Sequence, residues 1–168
     1  MIERKYLAHY VDAAFDMTGA ETNYVRLGKD LEEFNEELNP DVEVTHNILG
    51  EQSVRHNGYE AQSDADPYYY ENYDEALSKK IMEIVNTRAT GDACKTTAVD
   101  VLLKPGATAD AAPTVVWAYR EDVFLIPNSL GGDTSGIQTP FTLYYAGKRV
   151  KGTFNITTKK FTEDEAGL

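Results

Sequence analysis

Three histidines, His9, His46 and His56, are the residues of this chain best suited to bind a metal ion or transfer a proton. His46 and His56 fall in two segments that we interpret below as paired strands, where they could lie close enough to share zinc. Structural zinc sites need further Cys or His ligands at characteristic spacing, and none accompanies the pair. Packing on a strand is the favoured interpretation, and we predict neither a metal nor another cofactor.

Candidate nucleophiles and catalytic acids lack the companions that their chemistry requires. Ser135 in GGDTSG has Asp133 where a G-x-S-x-G elbow has its first glycine, and a strand is predicted to follow, where the elbow needs a helix. Cys94 has no histidine near it in sequence, so we interpret it as a packed small residue. Carboxylates are too numerous for a catalytic pair to be singled out, and a solvated acidic surface is the simpler interpretation. We predict no enzyme; a hydrolase would need two carboxylates that converge in a cleft.

The aromatic run Tyr68-Tyr69-Tyr70 has two interpretations. Together with Trp117 it could form a stacking surface for sugars, which makes a carbohydrate-binding β-sandwich the alternative function. A tyrosine cluster before a helix is more often packed against the core or a partner chain. The sequence favours packing and leaves the alternative open.

Charge excludes several classes of partner. Among 168 residues, 28 are acidic and 16 are basic, which gives a formal net charge of −12. A chain of this charge repels phosphate backbones and anionic lipid surfaces. No run approaches the 18 apolar residues of a membrane span, and the first five residues give no sign of a signal peptide. The single cysteine excludes an internal disulfide.

One helix is predicted with clear periodicity, at residues 74–88. Asn72 or Asp74 can cap its first turn, and Gly91 offers a stop after its end. Its core face, spaced i, i+4, i+7 and i+8, consists of Leu77, Ile81, Ile84 and Val85. Its outer face is expected to contain Ser78, Lys79, Lys80 and Glu83. A helix of this length needs a surface to pack on.

Nearly all other segments favour strands. These are predicted at residues 6–11, 23–27, 41–49, 52–59, 95–103, 115–126, 137–146 and 149–161. We expect residues 41–59 to form one hairpin, with Val42, Val44 and Ile48 toward the core, and residues 137–161 to form another. Residues 29–38 fit a short helix or an acidic loop equally well, and residues 61–67 are predicted as loop.

The fold class predicted from these elements is mainly β (α+β), in one domain that spans residues 1–168. Flexible segments are expected at residues 12–22, 61–70, 105–113 and 162–168. Many strands, one helix, no catalytic constellation and 11 tyrosines are typical of a structural or binding module.

Ten short segments, taken in order along the chain, carry a resemblance to a known family. They are NYVRLG at 23–28, KDLEE at 29–33, NPDVE at 39–43, NILG at 47–50, GY at 58–59, DPY at 66–68, GDACK at 91–95, YRED at 119–122, GGDT at 131–134 and GKRVKG at 147–152. Over almost its full length the chain resembles the tail tube (major tail) proteins of long-tailed phages and prophages of Gram-positive bacteria.

The resemblance implies an architecture and a role. Such proteins fold as a β-sandwich or partly closed antiparallel barrel flanked by one helix. They form hexameric rings that stack into a tube of the virion, assembled in the host cytoplasm. The implied partners are copies of the same chain, the tape-measure protein, and the tail terminator and baseplate proteins. DNA passes through without specific binding, which agrees with the acidic composition.

Two sets of residues are expected to serve this role. The proposed lumen-facing residues, on the two predicted hairpins, are Asp41, Glu43, Thr45, Asn47, Lys151, Thr153 and Asn155. The proposed assembly contacts, in polar segments with embedded aromatic residues, are Arg26, Asp30, Glu33, Tyr68, Tyr69 and Tyr70.

Overall fold

The structure, a computed structural model, describes residues 1–164, and residues 165–168 of the predicted flexible tail lie outside the described part. It has twelve strands and one α-helix in those residues. The strands are β1 (Leu7–Asp12), β2 (Tyr24–Leu27), β3 (Pro40–His46), β4 (Gln52–Tyr59), β5 (Gln62–Ala65), β6 (Lys95–Lys104), β7 (Thr114–Pro127), β8 (Gly131–Asp133), β9 (Gly136–Gln138), β10 (Phe141–Tyr145), β11 (Val150–Asn155) and β12 (Lys160–Glu163). The helix is α1 (Ala76–Thr87), and short 3-10 turns occupy Arg4–Tyr6 and Gly91–Cys94.

Eight strands form one antiparallel sheet around the long strand β7. The main path runs β12-β11-β7-β6-β1-β2, and β10 pairs with the second half of β7 and with β5. Phe154 on β11 meets Tyr10 on β1 with ring centroids 4.6 Å apart, although two strands separate them in the sheet. Strands lie about 4.8 Å apart, so this contact requires the sheet to curl. The predicted fold class, a mainly β partly closed barrel with one flanking helix, is confirmed.

Alternation along the strands gives the sheet a core on each face. On β1, Ala8 and Tyr10 belong to the core inside the curl, together with Val99, Val101 and Phe154. On the other face, a second core is shared by the sheet and the helix. Its members include Val11, Leu77, Ile81, Val123, Leu125, Phe141 and Leu143. This arrangement places α1 outside the curl.

Helix α1 is shorter than predicted and ends differently. Glu75 is the N-cap residue, and Asn72 instead accepts a hydrogen bond from the Asp74 N–H, at 2.9 Å. The helix ends where Arg88 adopts a left-handed conformation, before the predicted stop at Gly91. Leu77, Ile81 and Ile84 are buried, and Val85 packs against the same core from a half-buried position.

Ser78 was expected on the outer face of the helix but is buried. Its hydroxyl donates to Glu75 Oε2 at 3.1 Å, which lets a small polar residue enter the apolar interface.

In the described chain no helix has the length and apolarity needed to cross a bilayer.

The hairpin predicted over residues 137–161 is wrong. Thr139 and Pro140 break the first strand into β9 and β10, and β10 pairs with β5 and β7, not with β11. Its second strand breaks at residues 156–159, and β11 pairs with β7 and β12. Residues 62–65, predicted as loop, form the edge strand β5.

The predicted flexible segments have different structures. Asp12 holds the first part of the 12–22 loop by accepting bonds from the N–H groups of Ala14, Asp16 and Asn23 at 2.8–3.0 Å. The 61–70 segment contains β5 and the buried residues Ser63, Ala65 and Tyr68. Residues 105–113 are a surface loop. Thr162 and Glu163 belong to β12, so the start of the predicted tail is a strand.

Residues 29–38 form no helix. The segment is not a fully solvated loop either, because Phe34 is buried and belongs to the core shared with α1. It covers part of the sheet and then leads into β3.

Candidate functional site

The most unusual feature of the molecule is an exposed hairpin, formed by β3 and β4, which we call the arm (residues 40–59). The two strands pair only with each other, from Pro40–Tyr59 to His46–Gln52. No residue of the arm is buried. An isolated two-stranded hairpin is marginally stable in water, because independent stability needs a third strand or a packed apolar face.

The prediction that one face of this hairpin packs on the core is wrong. Val42 and Val44 are 49% and 51% exposed, and Ile48 at the tip is fully exposed. The register places Val42 opposite His56 and Val44 opposite Val54, so these side chains share one largely apolar face, and no part of the described chain buries it. The alternation of residue types was correct, but no segment within residues 1–164 covers the apolar side.

The proposed lumen-facing residues are all exposed. Glu43 and Thr45 lie on the second face of the arm, opposite Arg55 and Ser53, so a guanidinium shares the face with the carboxylate. On β11, Lys151, Thr153 and Asn155 alternate with the more buried Gly152 and Phe154. The arm and β11 belong to different sheets of the fold.

The proposed assembly contacts come together in part. Arg26, Asp30, Tyr68 and Tyr69 border one small cleft, and Asp30, Glu33 and Tyr69 border the next. Tyr68 itself is buried and donates a hydrogen bond to Glu75 Oε1 at 3.0 Å. Tyr70 is half-buried, with its ring centroid 5.9 Å from that of Tyr73.

The same tyrosines do not form an open stacking surface for sugars. Tyr68 faces the core, where its ring lies 5.0 Å from that of Phe141. Trp117 on β7 is half-buried beside Tyr119, and the Arg149 guanidinium lies 6.0 Å from its ring centroid. The rings of Tyr68 and Trp117 are therefore occupied by other contacts.

Five charged or titratable side chains form a network where the 29–38 segment crosses the sheet. His9 Nδ1 lies 2.7 Å from Asp100 Oδ1, and Arg149 Nη2 lies 3.1 Å from Asp100 Oδ2. Arg149 Nη1 reaches Glu36 Oε2 at 3.3 Å, and Arg4 Nη2 lies 2.9 Å from His9 Nε2. Because Arg4 can only donate, Nε2 accepts and the Nδ1–H donates to Asp100.

Burial sets the protonation states in this network. Burial, together with the neighbouring Asp100 carboxyl, raises the pKa of Glu36 to about 7. Burial also lowers the pKa of His9 to about 4, with the charge of Arg4 acting in the same direction. The network therefore contains a neutral imidazole and a carboxyl group that titrates near neutral pH.

The network is structural in character. One ligand atom each of His9, Glu36 and Asp100 lies within 4.8 Å of the others, a spacing that could suit a metal ion. Two guanidinium groups already bind these side chains, and they would repel a divalent cation. General-base catalysis by His9 is prevented in the same way, because Arg4 donates to the nitrogen that would accept the proton.

The network connects the arm to the barrel. Phe34 packs its ring 4.8 Å from His9, and its carbonyl accepts from Arg4 at 2.9 Å. Glu37 then pairs with Gln62 at the edge of β5, three residues before the arm begins. No local sequence pattern indicates this network, since 91 residues separate His9 from Asp100 and 113 separate Glu36 from Arg149.

The histidine pair considered for zinc is not brought together. His46 lies opposite Gln52 at the tip of the arm, and His56 lies opposite Val42 near its base. The His56 ring packs against Tyr59, with centroids 4.6 Å apart. Ser135 lies in the exposed turn between β8 and β9, in a strand–turn–strand context.

Comparisons with known proteins show what the fold resembles. No protein-family model and no curated protein sequence matches the chain. Among solved structures, it is similar to the sheath/tube terminator of the extracellular contractile injection system PVC, in the extended state. The TM-score is 0.54 at 10% identity, with 91% of this chain and 97% of that chain covered.

A second solved structure has the same kind of description. It is the tube-terminating cap of the anti-feeding prophage, with a TM-score of 0.50 at 12% identity and 91% of each chain covered. The chain therefore has the fold of tail-tube-related proteins. Identity this low establishes the fold alone.

Proposed function

We propose that this chain is a structural subunit that assembles with copies of itself into rings of a tail tube. The observation that carries the proposal is the arm, an exposed hairpin with an apolar face that no other segment of residues 1–164 covers. Valines exposed in this way mark protein interaction sites in soluble proteins. The fold supports the same role, because the two similar solved structures are components of tube-based assemblies.

The proposed subunit number, location and further partners follow from the resemblance of the sequence to tail tube proteins. The ring is proposed to be hexameric and to stack into the tube of a virion that forms in the host cytoplasm. The tape-measure, terminator and baseplate proteins are its further partners. A non-enzymatic role agrees with a His9–Asp100 pair whose proton-accepting nitrogen is already bonded to Arg4.

The channel is proposed to be lined by β11 and by the second face of the arm, which carries Glu43 and Thr45. Asp41 and Glu43 would repel the phosphates of passing DNA, which favours transit without binding. Arg55 and Lys151 reduce the negative charge of these surfaces. The lining is therefore mixed in charge, and its net effect on DNA is weaker than the charge of the whole chain implies.

A terminating ring is the second candidate. Both similar solved structures end a tube: one is described as a sheath/tube terminator and the other as a tube-terminating cap. A terminator forms a ring that stops stacking, whereas a tube protein forms rings that continue it. Assembly into stacked tubes would indicate a tube protein, and assembly into single rings would indicate a terminator.

Removal of the arm tests the proposal. Replacing residues 42–57 with an Asn-Gly turn should leave the barrel folded, because no arm residue is buried. We expect sedimentation of the wild-type chain to show monomer at low concentration and assembly at high concentration. The armless variant should remain monomeric throughout, with a melting temperature close to that of the wild type.

A matched control shortens another exposed segment. Replacing residues 107–112, in the loop between β6 and β7, with the same Asn-Gly turn should leave assembly unchanged. Equal assembly of the armless variant and the wild type would contradict the role of the arm. A wild-type chain that remains a monomer at every concentration would contradict self-assembly itself.

A further inference from the structure

A cleft beside strand β2 combines an apolar floor with a basic rim. Its volume is about 570 Å³, within the range of small binding sites. Leu27 and Phe34 in its floor are buried, and Leu7 and Leu31 are half-buried. Its rim carries four exposed cations, Arg4, Lys5, Arg26 and Lys29, and one exposed carboxylate, Glu32.

The concentration of cations is unusual for a chain with a net charge of −12. Lys5 and Lys29 pair with Glu3 and Glu71. Arg26 Nη2 donates to the Lys5 carbonyl at 2.7 Å, and within residues 1–164 no carboxylate lies within ion-pairing distance of it. The guanidinium therefore has donors available for a carboxylate that approaches from outside.

The tip of the arm has the complementary chemistry. Ile48 and Leu49 are 102% and 77% exposed, so their side chains touch almost nothing in their own chain. Asn47 fixes the turn: its Oδ1 accepts from the N–H groups of Leu49 and Glu51 at 2.9 and 3.0 Å, and its Nδ2 donates to Glu51 Oε2 at 2.8 Å. The tip presents two aliphatic side chains and one carboxylate in an ordered turn.

We infer that the arm tip of one copy binds in this cleft of a second copy. Ile48 and Leu49 would cover the floor formed by Leu27 and Phe34, while Glu51 pairs with Arg26. The inference rests on the proposed self-assembly and specifies the contact by which it occurs. Because the tip and the cleft are different patches, the contact is heterologous and repeats around a ring or along a filament.

A charge exchange tests the contact directly. Arg26→Glu should weaken the association of copies about tenfold or more in concentration-dependent sedimentation. Adding Glu51→Arg to the same chain restores an opposite-charge pair at every contact and should recover most of the loss. Lys79→Glu, an equal charge change on the exposed face of α1, is the matched control and should change association by less than about threefold.

The apolar half of the contact is tested separately. Ile48→Ser combined with Leu49→Ser should reduce association about tenfold or more while circular dichroism and thermal unfolding stay unchanged, since both side chains are exposed. Wild-type association by this variant or by Arg26→Glu, or a lack of rescue by Glu51→Arg, would overturn the inference. If the armless chain fails to assemble while the point variants associate like the wild type or are not rescued, the arm remains a contact but this cleft is excluded as its binding site. A wild-type chain that never assembles would overturn both proposals.

Discussion

Ile81→Asp is expected to abolish folding of the chain. Ile81 is completely buried in the core between α1 and the sheet, among Leu77, Val123 and Leu125. The substitution removes an apolar side chain worth about 2–5 kcal/mol and places a carboxylate in its position, with a further penalty of several kcal/mol. A domain of this size is stable by about 5–15 kcal/mol, so the sum approaches or exceeds the total.

Circular dichroism and chemical denaturation measure this effect. Ile81→Val, which keeps the apolar character, should cost only about 0.5–1.5 kcal/mol. Lys79→Glu, on the exposed side of the same helix, should change the free energy of unfolding by less than about 0.5 kcal/mol. A cooperative unfolding transition of wild-type stability for Ile81→Asp would show that the helix does not hold the fold.

Arg149→Met is expected to be the second most damaging substitution. The Arg149 guanidinium is the cation that bonds both Asp100 and Glu36. Removing one partner of a buried ion pair costs about 3–5 kcal/mol, and the partial exposure of Arg149 reduces our expectation to about 2–3 kcal/mol near pH 8. Urea denaturation at fixed pH measures this loss.

The loss should grow as the pH rises. The folded-state pKa of Glu36 is raised to about 7 from an ordinary value of 4.5, so the fold loses stability through this group between pH 4.5 and 7 as the proton leaves. Arg149 opposes the rise in the pKa of both Glu36 and Asp100, so its removal makes deprotonation more costly. We therefore expect the damage at pH 5 to be about 1 kcal/mol smaller than at pH 8.

His9 contributes with the opposite sign. Its folded-state pKa is lowered from 6.5 to about 4, so its stabilisation is complete above pH 6.5 and is lost as the pH falls toward 4.

Glu36→Gln in the Arg149→Met background removes the carboxyl group that titrates near neutral pH. In the double variant, the loss of unfolding free energy should be nearly the same at pH 5 and at pH 8. Lys151→Met, which removes an exposed cation, is the control. A loss independent of pH would contradict the assigned role of Glu36.

Local periodicity predicted the parts of the fold that depend on one surface. The spacing of Leu77, Ile81 and Ile84 identified α1, and runs of β-branched and aromatic residues identified β6 and β7 within one or two residues. These elements pack on the body of the same chain, so their amphipathic patterns describe contacts that the monomer contains.

Pairing between strands was less predictable. Residues 137–161 include all or part of four strands, β9 to β12. The break at Thr139 and Pro140 separates β9 from β10, and β10 pairs with the second half of β7 while β11 pairs with β7 and β12. Sequence neighbours form hairpins often enough to make the simpler pairing attractive. Strand β7 is long enough for β10 and β11 to pair with different parts of the same edge, which makes the observed pairing possible.

The arm shows a different kind of limit. Val42 and Val44 alternate with polar residues as in a half-buried strand, yet both remain about half exposed in the structure of residues 1–164. The pattern indicates an apolar contact without saying which molecule provides it. The charged network was hidden for another reason, because its members meet only when β1, β6 and the 29–38 segment are assembled.

Electron microscopy of the concentrated wild-type chain tests the central claim most directly. Negative-stain images combined with sedimentation of the same sample report both the shape and the mass of any assembly. We expect rings with a central opening, either single or stacked into tubes, and higher resolution should place the arm between neighbouring copies. Compact monomers at every concentration, with no rings in any field, would contradict it.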